Sequence, residues 1–178
     1  MKDKVVIFGT GDIAELAHFY FSHDSKLQVV AFCVDAAFYN VEEFCGLPIV
    51  PFEALRDHYP PEEHAFFAAL SYASMNQLRA KKVLEAKENG YEIASYVSSK
   101  ATFFENFSCG ENCFILENNT IQPFVKIGDN VTLWSGNHIG HHSTIEDNVF
   151  VSSHVVVSGG VNVGKNCFVG VNATIHDH

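Results

Sequence analysis

The sequence predicts an α/β domain on a small parallel sheet over residues 1–95, followed by a parallel β-helix of hexapeptide repeats over 96–178. Three observations carry this prediction. The first is a six-residue apolar beat at Val97, Phe103, Cys109, Ile115, Ile121, Ile127, Leu133, Ile139, Ile145, Val151, Val157, Val163, Val169 and Ile175, without a slip of register. The second is a softer row four positions after each beat: Ala101, Phe107, Cys113, Asn119, Val125, Val131, Asn137, Ser143, Val149, Val155, Val161, Cys167 and Ala173. A helix repeats its buried face about every 3.6 residues and a strand every 2, so a strict six demands a solenoid with short flat sides, each burying one large and one small residue. Glycine follows the beat at Gly110, Gly128, Gly140, Gly164 and Gly170, where the chain turns a corner that a side chain would crowd. The third observation is that residues before about 95 alternate apolar runs with helical patterns, the signature of a parallel α/β sheet.

The elements follow in order. Val5 to Phe8 is an apolar run that ends in Gly9-Thr10-Gly11. Asp12 to Ser22 follows as a helix with Ile13, Leu16, Ala17 and Tyr20 on one face. Leu27 to Val34 is a second run, closed by Asp35. Gly46 to Val50 reads as a short strand, and Pro51 leads into the helical Phe52 to Leu55. Ala65 to Leu70 reads as a buried strand, and Asn76 to Asn89 as an amphipathic helix ended by Gly90. Tyr91 to Val97 is expected to be one strand that delivers the chain to the solenoid; with no Gly/Ser-rich linker near Ser95, the two domains are expected to be rigidly joined.

Composition bounds the function. A content of 47% hydrophobic and 18% charged residues is ordinary for globular proteins and argues against disorder. The net charge of -10 argues against nucleic acid or an anionic membrane surface as partner, since both need clustered Lys and Arg. Cys109, Cys113 and Cys167 fall on the buried rows, and with Cys33 and Cys45 they form no metal-site doublets. MKDK runs straight into VVIF without a signal-peptide pattern, and no stretch reaches the roughly 18 apolar residues of a membrane span. A cytoplasmic protein is expected.

Three places could carry chemistry. Gly9-Thr10-Gly11-Asp12 lies where an α/β sheet binds phosphate, because glycines admit the backbone and a helix N-terminus supplies free amides. It lacks the third glycine of the dinucleotide fingerprint, so a tight turn without ligand is the other reading. Asp35 is either a ribose or base acceptor or a solvated loop residue. Ser71 and Tyr72, with Met75, Asn76 and Arg79, are either a second part of that site, Tyr72 on a base and Arg79 on a phosphate, or exposed residues at a helix start.

The third place holds His138, His141, His142 and His154. Ile139 points inward, so His141, two positions on, carries its side chain outside the prism. A neutral histidine there can take a proton from an attacking amine or hydroxyl near pH 7. The alternatives are polar residues along a trimer seam, or a metal site, which the spacing does not favour. Gly159 lies one coil after His141, about 4.8 Å away by strand spacing, where its amide could serve an oxyanion.

Together these residues resemble the bacterial sugar O- and N-acyltransferases related to sialic acid O-acetyltransferases and to the N-acetyltransferases of bacillosamine-type amino sugars. Gly9 to Gly11, Asp35, Gly46 to Val50 and Tyr72 to Arg79 match family segments. The most specific match is Ile139-Gly140-His141-His142-Ser143-Thr144-Ile145-Glu146-Asp147, followed by Ser158-Gly159-Gly160-Val161. The resemblance implies a Rossmann-like N-terminal domain and a left-handed β-helix, assembled as a homotrimer with sites between subunits. It implies acetyl-CoA-dependent N-acetylation of a nucleotide-linked amino sugar in bacterial surface-glycan synthesis, with O-acetylation of a sialic acid-like sugar or a non-catalytic nucleotide-sugar-binding trimer as alternatives. No metal is implied.

By the same resemblance His141 is the base and the Gly159 amide the oxyanion donor, with His142, Glu146 and Asp147 as candidates to orient His141. The nucleotide sugar falls to Gly9, Thr10, Gly11, Asp12, Asp35, Ser71, Tyr72, Asn76, Arg79, Trp134 and His138, and acetyl-CoA to Gly159, Gly160, Val171 and Asn172. The chain departs from the family at His142, where an acidic residue is usual, and at Trp134, where a small polar residue is usual. Relatives also continue for several coils beyond Asn172 to Thr174, whereas this sequence ends at His178 and its solenoid holds only Lys100, Lys126 and Lys165 as cations. The expectation is of a truncated solenoid that binds acetyl-CoA weakly and frays near Val169 and Ile175.

Overall fold

The computed structural model describes residues 2–177. They form two compact units, one of residues 2–71 and 81–94 and the other of residues 72–80 and 95–177. Sequence grouped 72–80 with the N-terminal domain; the structure groups it with the solenoid.

In the first unit, β1 (Lys4–Phe8), β2 (Gln28–Val34), β3 (Glu43–Phe44), β4 (Leu47–Pro51), β5 (His64–Ala68) and β6 (Glu92–Ile93) form one sheet in the order β3-β4-β2-β1-β5-β6. Every pairing is parallel except β3 with β4. That antiparallel pair turns through Cys45 and Gly46, both at positive φ (51° and 74°), a two-residue hairpin that apolar patterning alone does not announce. Helix α1 (Asp12–Asp24) follows β1, and Ala14, Ala17 and Phe21 are its buried face. Phe52–Ala54 is a 3₁₀ turn leading into the short α2 (Leu55–His58). Helix α3 (Gln77–Glu88) contributes its residues from 81 onward to this unit, before β6. The core gathers Val6, Phe8, Ala31, Cys33, Phe52, Leu55, Phe66 and Tyr91.

The chain leaves β1 for β2 on one side of β1 and later returns to β5 on the other. The carboxyl ends of β1 and β5 therefore flank a topological switch point, where an open α/β sheet leaves a crevice.

The expected single strand Tyr91 to Val97 is two strands. Glu92–Ile93 pairs with β5, while Tyr96–Val97 pairs with Phe114–Ile115 in the solenoid. Ser95 between them serves the second unit, its hydroxyl donating to Gly110 O (2.9 Å) and accepting from Cys113 N (2.9 Å).

In the solenoid, two-residue strands pair in parallel with those 18 positions away, Thr132–Leu133 with Phe150–Val151 for example. Three flat faces result. The Thr132 face holds Tyr96–Val97, Phe114–Ile115, Thr132–Leu133, Phe150–Val151 and Phe168–Val169. The His138 face holds Thr120–Ile121, His138–Ile139, Val156–Val157 and Thr174–Ile175, and the Thr144 face Lys126–Ile127, Thr144–Ile145 and Asn162–Val163. Beat residues from Ile115 to Val169 are buried in one continuous core, each such burial contributing about 1.5–3 kcal/mol. Phe103 keeps its register, since Thr102 bridges Thr120, yet it is 40% exposed because it lies in the first coil, which has no preceding coil against it.

Polar members of the softer row hydrogen-bond the corners. Asn119 Nδ2 donates to Trp134 O (2.9 Å), Asn137 Oδ1 accepts from Val155 N (2.7 Å), and Ser143 Oγ donates to Ser158 O (2.8 Å). At another corner, Asn112 donates to Asn130, and Asn130 to Asn148, as a ladder along the prism.

Residues 72–80 are fastened to this unit. Arg79 is buried, with Nε donating to Asn130 Oδ1 (2.9 Å) and Nη2 to Asn130 O (2.9 Å), and its guanidinium lies 5.9 Å from the Phe150 ring centroid. Burial pulls its pKa down to about 10. Asn76 Nδ2 donates to Asn166 O (3.4 Å) and Cys167 O (3.3 Å). Ser74, Met75 and Asn76 are all at positive φ (52°, 52° and 65°), a strained run that those anchors hold in place.

Coil spacing explains Gly110, Gly128 and Gly140 but not Gly164 and Gly170, where, against expectation, a Cβ would meet nothing within 4 Å. A Cβ on Gly110 would strike Asp129 Oδ1, and one on Gly128 would strike Asp147 Oδ1, because each carboxylate from the next coil accepts a corner amide of the coil before: Glu111 N to Asp129 (2.9 Å) and Asp129 N to Asp147 (3.1 Å). Gly128→Ala is therefore expected to destabilise the solenoid by about 1–3 kcal/mol. Urea unfolding measures this, and a loss within about 0.5 kcal/mol, the ordinary surface-substitution range, would show that the coils have slack there.

Candidate active site

His141 and His142 form the corner after His138–Ile139, between the His138 and Thr144 faces, both side chains exposed. His142 takes φ 60°, the left-handed conformation that recurs at the same corner position along the solenoid. Its ring packs on Phe124, one coil earlier, with centroids 4.6 Å apart. His141 Nδ1 and His142 Nδ1 are 3.1 Å apart, so one ring donates a proton that the other accepts. When His141 carries hydrogen on Nδ1, its Nε2 is left bare, the tautomer a general base requires.

Gly159 lies directly against the His141 ring. A Cβ there would come within 2.6 Å of Cε1 and 2.8 Å of Nε2. Gly140 is crowded as well, its virtual Cβ falling 2.6 Å from Gly159 N. The two amides of this corner are treated differently. His141 N donates to the Gln122 side chain one coil back (2.9 Å), whereas Gly159 N faces Gly140, which has no side chain to offer, and has no acceptor among the described residues. An unpartnered amide beside an imidazole is the arrangement that receives a developing oxyanion.

Glu146 and Asp147 do not orient His141. Both sit at the next corner and are engaged by neighbouring coils: Glu146 accepts from Asn162 Nδ2 (2.9 Å) and Lys165 N (3.1 Å) of the following coil, and Asp147 from Lys165 Nζ (2.7 Å) of the following coil and Asp129 N of the preceding one. The hydrogen bond from Lys165, with that from the Asp129 amide, holds the Asp147 carboxyl below its ordinary pKa. Of the three candidates, His142 is the one hydrogen-bonded to the ring.

The acetyl-CoA candidates divide between two corners. Gly159 and Gly160 share the His141 corner, while Val171 lines a cleft with Trp134 at the corner between the Thr132 and His138 faces, and Asn172 N donates to Ser153 O there (3.1 Å). His138 lies half-buried on the face between these corners. His154 takes the repeat position of His142 at the Trp134 corner, with φ 59° and its ring packed on Gly136 of the preceding coil.

In the first unit, Gly9, Thr10, Gly11 and Asp12 line an open hollow of about 470 Å³ with Ile13, Ala69, Leu70 and Ser71, at the ends of β1 and β5. Gly9 has φ 117°, and a Cβ would meet Ala69 O at 2.9 Å; at Gly11 a Cβ would meet nothing within 4 Å. No side chain caps α1, which leaves its first amides for a ligand.

Asp35 is not a free acceptor. Lys82 Nζ donates to its Oδ1 (2.6 Å) and to Glu85 (2.7 Å) over the rings of Phe8 and Phe52. Burial works against the Lys82 ammonium, but the two carboxylates outweigh it and its pKa is raised.

Asn76 and Arg79, expected to meet a nucleotide, are buried and bonded within the second unit as described, and Tyr72 packs on Phe150 and Phe168. Gln122, Phe124, Phe150, Phe168, Ser152 and Ser153 were missed by sequence; stepping 18 positions from the histidines finds Phe124. Among the described residues, no group of three or more His, Cys, Asp or Glu is placed to hold a metal ion, and no helix is long and apolar enough to cross a membrane.

Residues 108–141 match the family model for the bacterial transferase hexapeptide, six repeats. A serine acetyltransferase of Bacillus licheniformis is 26% identical over 140 residues, 68% of this chain and 65% of that protein, so the match spans just under two thirds of the curated relative. The acetyltransferase domain of PglB from Neisseria gonorrhoeae superposes with a TM-score of 0.84 at 17% identity, covering 97% of this chain and 82% of that one. PerB from Caulobacter crescentus, in complex with CoA and GDP-perosamine, gives 0.64 at 19% identity, covering 97% and 88%. WeeI from Acinetobacter baumannii gives 0.65 at 16% identity, covering 96% and 87%. At these identities the three likenesses establish the hexapeptide transferase fold.

If Gly159 holds the imidazole in place by clearance alone, Gly159→Ala should displace the ring while leaving the solenoid folded. The expected outcome is a change in the His141 imidazole NMR signals with an unchanged circular dichroism spectrum; unmoved signals would show that the ring packs elsewhere.

Proposed function

We propose that this protein is an acetyl-CoA-dependent N-acetyltransferase for a nucleotide-linked amino sugar of bacterial surface glycans, acting as a homotrimer. The observation that carries the reading is the unpartnered Gly159 amide beside the His141 ring. The sugar amine attacks the thioester carbonyl, forming the N–C bond. His141 Nε2 takes the proton that the nitrogen sheds, and the Gly159 N–H stabilises the oxyanion. Collapse breaks the C–S bond, and the proton held by His141 passes to the leaving sulfur, so that CoA departs as the thiol. Positioning supplies most of the acceleration, since an aligned amine attacks a thioester readily. Support for the chemistry comes from the hexapeptide repeat and from fold likeness to PglB, to PerB with its CoA and GDP-perosamine, and to WeeI.

The Rossmann-like unit is proposed to hold the nucleotide at Gly9 to Asp12, with phosphate on the free amides of α1 and with Ser71 at the rim. Asp12 and Glu15 in the first turn oppose an anion, so clearance at Gly11 and amide donation have to outweigh them. The left-handed β-helix is proposed to hold acetyl-CoA, with Gly159 and Gly160 at the thioester. A second reading, transfer to a hydroxyl, is favoured by the similarity to a serine acetyltransferase.

A thiol-release assay over amino and hydroxy sugar nucleotides separates the two. His141→Ala should lower turnover by about 10²–10⁴ with nucleotide affinity unchanged. A comparable loss in His154→Ala, with His141→Ala near wild type, would move the base to the Trp134 corner. Gly11→Val should fold normally, because a Cβ there meets nothing, and should lose sugar-nucleotide binding. Unaltered binding by calorimetry would remove the nucleotide from this turn.

A further inference from the structure

Tyr72, Trp134, Phe150, Phe168 and Val171 wall a cleft of about 340 Å³ in the second unit, completed by Ser152 and Ser153. Phe150 and Phe168 lie nearly parallel, at 21° with centroids 5.6 Å apart. Tyr72 leans on both, at 72° and 51°, and Trp134 is tilted 46° to Phe150. Tyr72, Phe168 and Val171 remain 52%, 40% and 64% exposed, a contiguous apolar patch beside the buried ring of Phe150. The indole N–H of Trp134 is buried without an acceptor among the described residues.

We propose that this cleft binds the pyranose ring of the acceptor sugar, with the C–H face of the sugar laid on the aromatic wall. The proposal rests on the reading above that the acceptor is a sugar.

The lining decides among occupants. None of the lining residues is charged, so the phosphates of a nucleotide or of CoA have no counter-ion here. A planar base needs a flat face or a slot between parallel rings. The one parallel pair, Phe150 and Phe168, is already in contact, and Tyr72 and Trp134 stand oblique to it. A concave, oblique aromatic wall suits a puckered saturated ring, whose C–H groups, polarised by neighbouring oxygens, meet the negative faces of the aromatic quadrupoles. Ser152 and Ser153 offer hydroxyls that both donate and accept, matching ring substituents.

The cleft and His141 lie at successive corners, separated by the width of the His138 face, roughly 20 Å at about 3.3 Å per residue. A sugar seated here therefore presents its amine to His141 of a second copy of the chain, as a homotrimer would allow.

Trp134 is the only tryptophan of the chain, so its fluorescence reports on the cleft directly. The probes are methyl glycosides of 6-deoxyhexoses, with cyclohexylmethanol as an apolar ring poor in hydroxyls and hexanamide as an acyl chain. The expected result is a saturable change in emission with at least one glycoside, weakened about tenfold or more in Phe168→Ala and in Val171→Glu. Both substitutions fall on exposed positions, and circular dichroism checks the fold of each. The proposal is overturned if no glycoside gives a saturable change, if cyclohexylmethanol or hexanamide binds as well, or if both variants respond like the wild type. Kinetics with sugar nucleotides keep the two readings apart. A raised KM for the sugar nucleotide in Phe168→Ala, with KM for acetyl-CoA unchanged, supports the cleft. Transfer with unchanged KM in both variants overturns the cleft alone, and glycoside binding without transfer to any sugar nucleotide overturns the proposed activity alone.

Discussion

Every feature of the solenoid depends on one constraint, the 18-residue register that puts each side chain beside its counterpart one coil away. The register lets the Asp129 and Asp147 carboxylates reach the corner amides behind them, runs the asparagine ladder from Asn112 to Asn148, and sets the His141 ring on Gly159. The same rule that builds the scaffold therefore builds the candidate site. A one-residue slip would turn the buried beat outward and separate His141 from Gly159 together, so fold and site share a single failure mode.

What was legible in the sequence is what repeats. The beat residues from Ile115 to Val169 are buried as their period requires, and Gly110, Gly128 and Gly140 stand where a Cβ would be crowded. What was illegible depends on contacts the period does not encode. Tyr91 to Val97 reads as one strand, but Ala94 and Ser95 interrupt it because its halves pair with different sheets. Arg79 and Asn76 look like exposed ligand groups because polar residues at a helix start usually are; only the presence of Asn130, Asn166 and Cys167 opposite them makes burial possible. Glu146 and Asp147 were attractive as partners of His141 by proximity in sequence, while in space their neighbours are Asn162, Lys165 and Asp129 on adjacent coils. The Cys45-Gly46 turn was missed because its signal is positive φ at a non-glycine residue.

The acidic balance of the chain leaves few cations for anionic ligands, and the structure commits two of the most suggestive ones internally. Lys82 is closed between Asp35 and Glu85, and Arg79 is sealed against Asn130. What remains near the hollow at β1 and β5 is backbone: the uncapped start of α1 and two glycines without side chains in the way. Recognition by amides is weaker per contact than by guanidinium but more dependent on shape, because the donors are fixed by the fold. Clearance thus weighs more than charge in this unit: Gly9 holds φ 117° where a Cβ would meet Ala69 O at 2.9 Å, and Gly11 has open space above it.

The partner of His141 bears on the kind of acceptor the corner can serve. A carboxylate beside an imidazole stabilises the imidazolium by charge as well as by hydrogen bonding; here the neighbour is a ring nitrogen of His142 at 3.1 Å instead of a carboxylate. For a hydroxyl acceptor, the proton must be largely removed while the bond to carbon forms, and the base carries much of the barrier. An amine has a free lone pair and becomes acidic only once the N–C bond has formed, so a modest base placed beside a fixed oxyanion donor suffices. Under the proposed reading, a Gly159 amide beside His141, with a ring nitrogen rather than a carboxylate as that histidine's neighbour, suits an amine acceptor better than a hydroxyl.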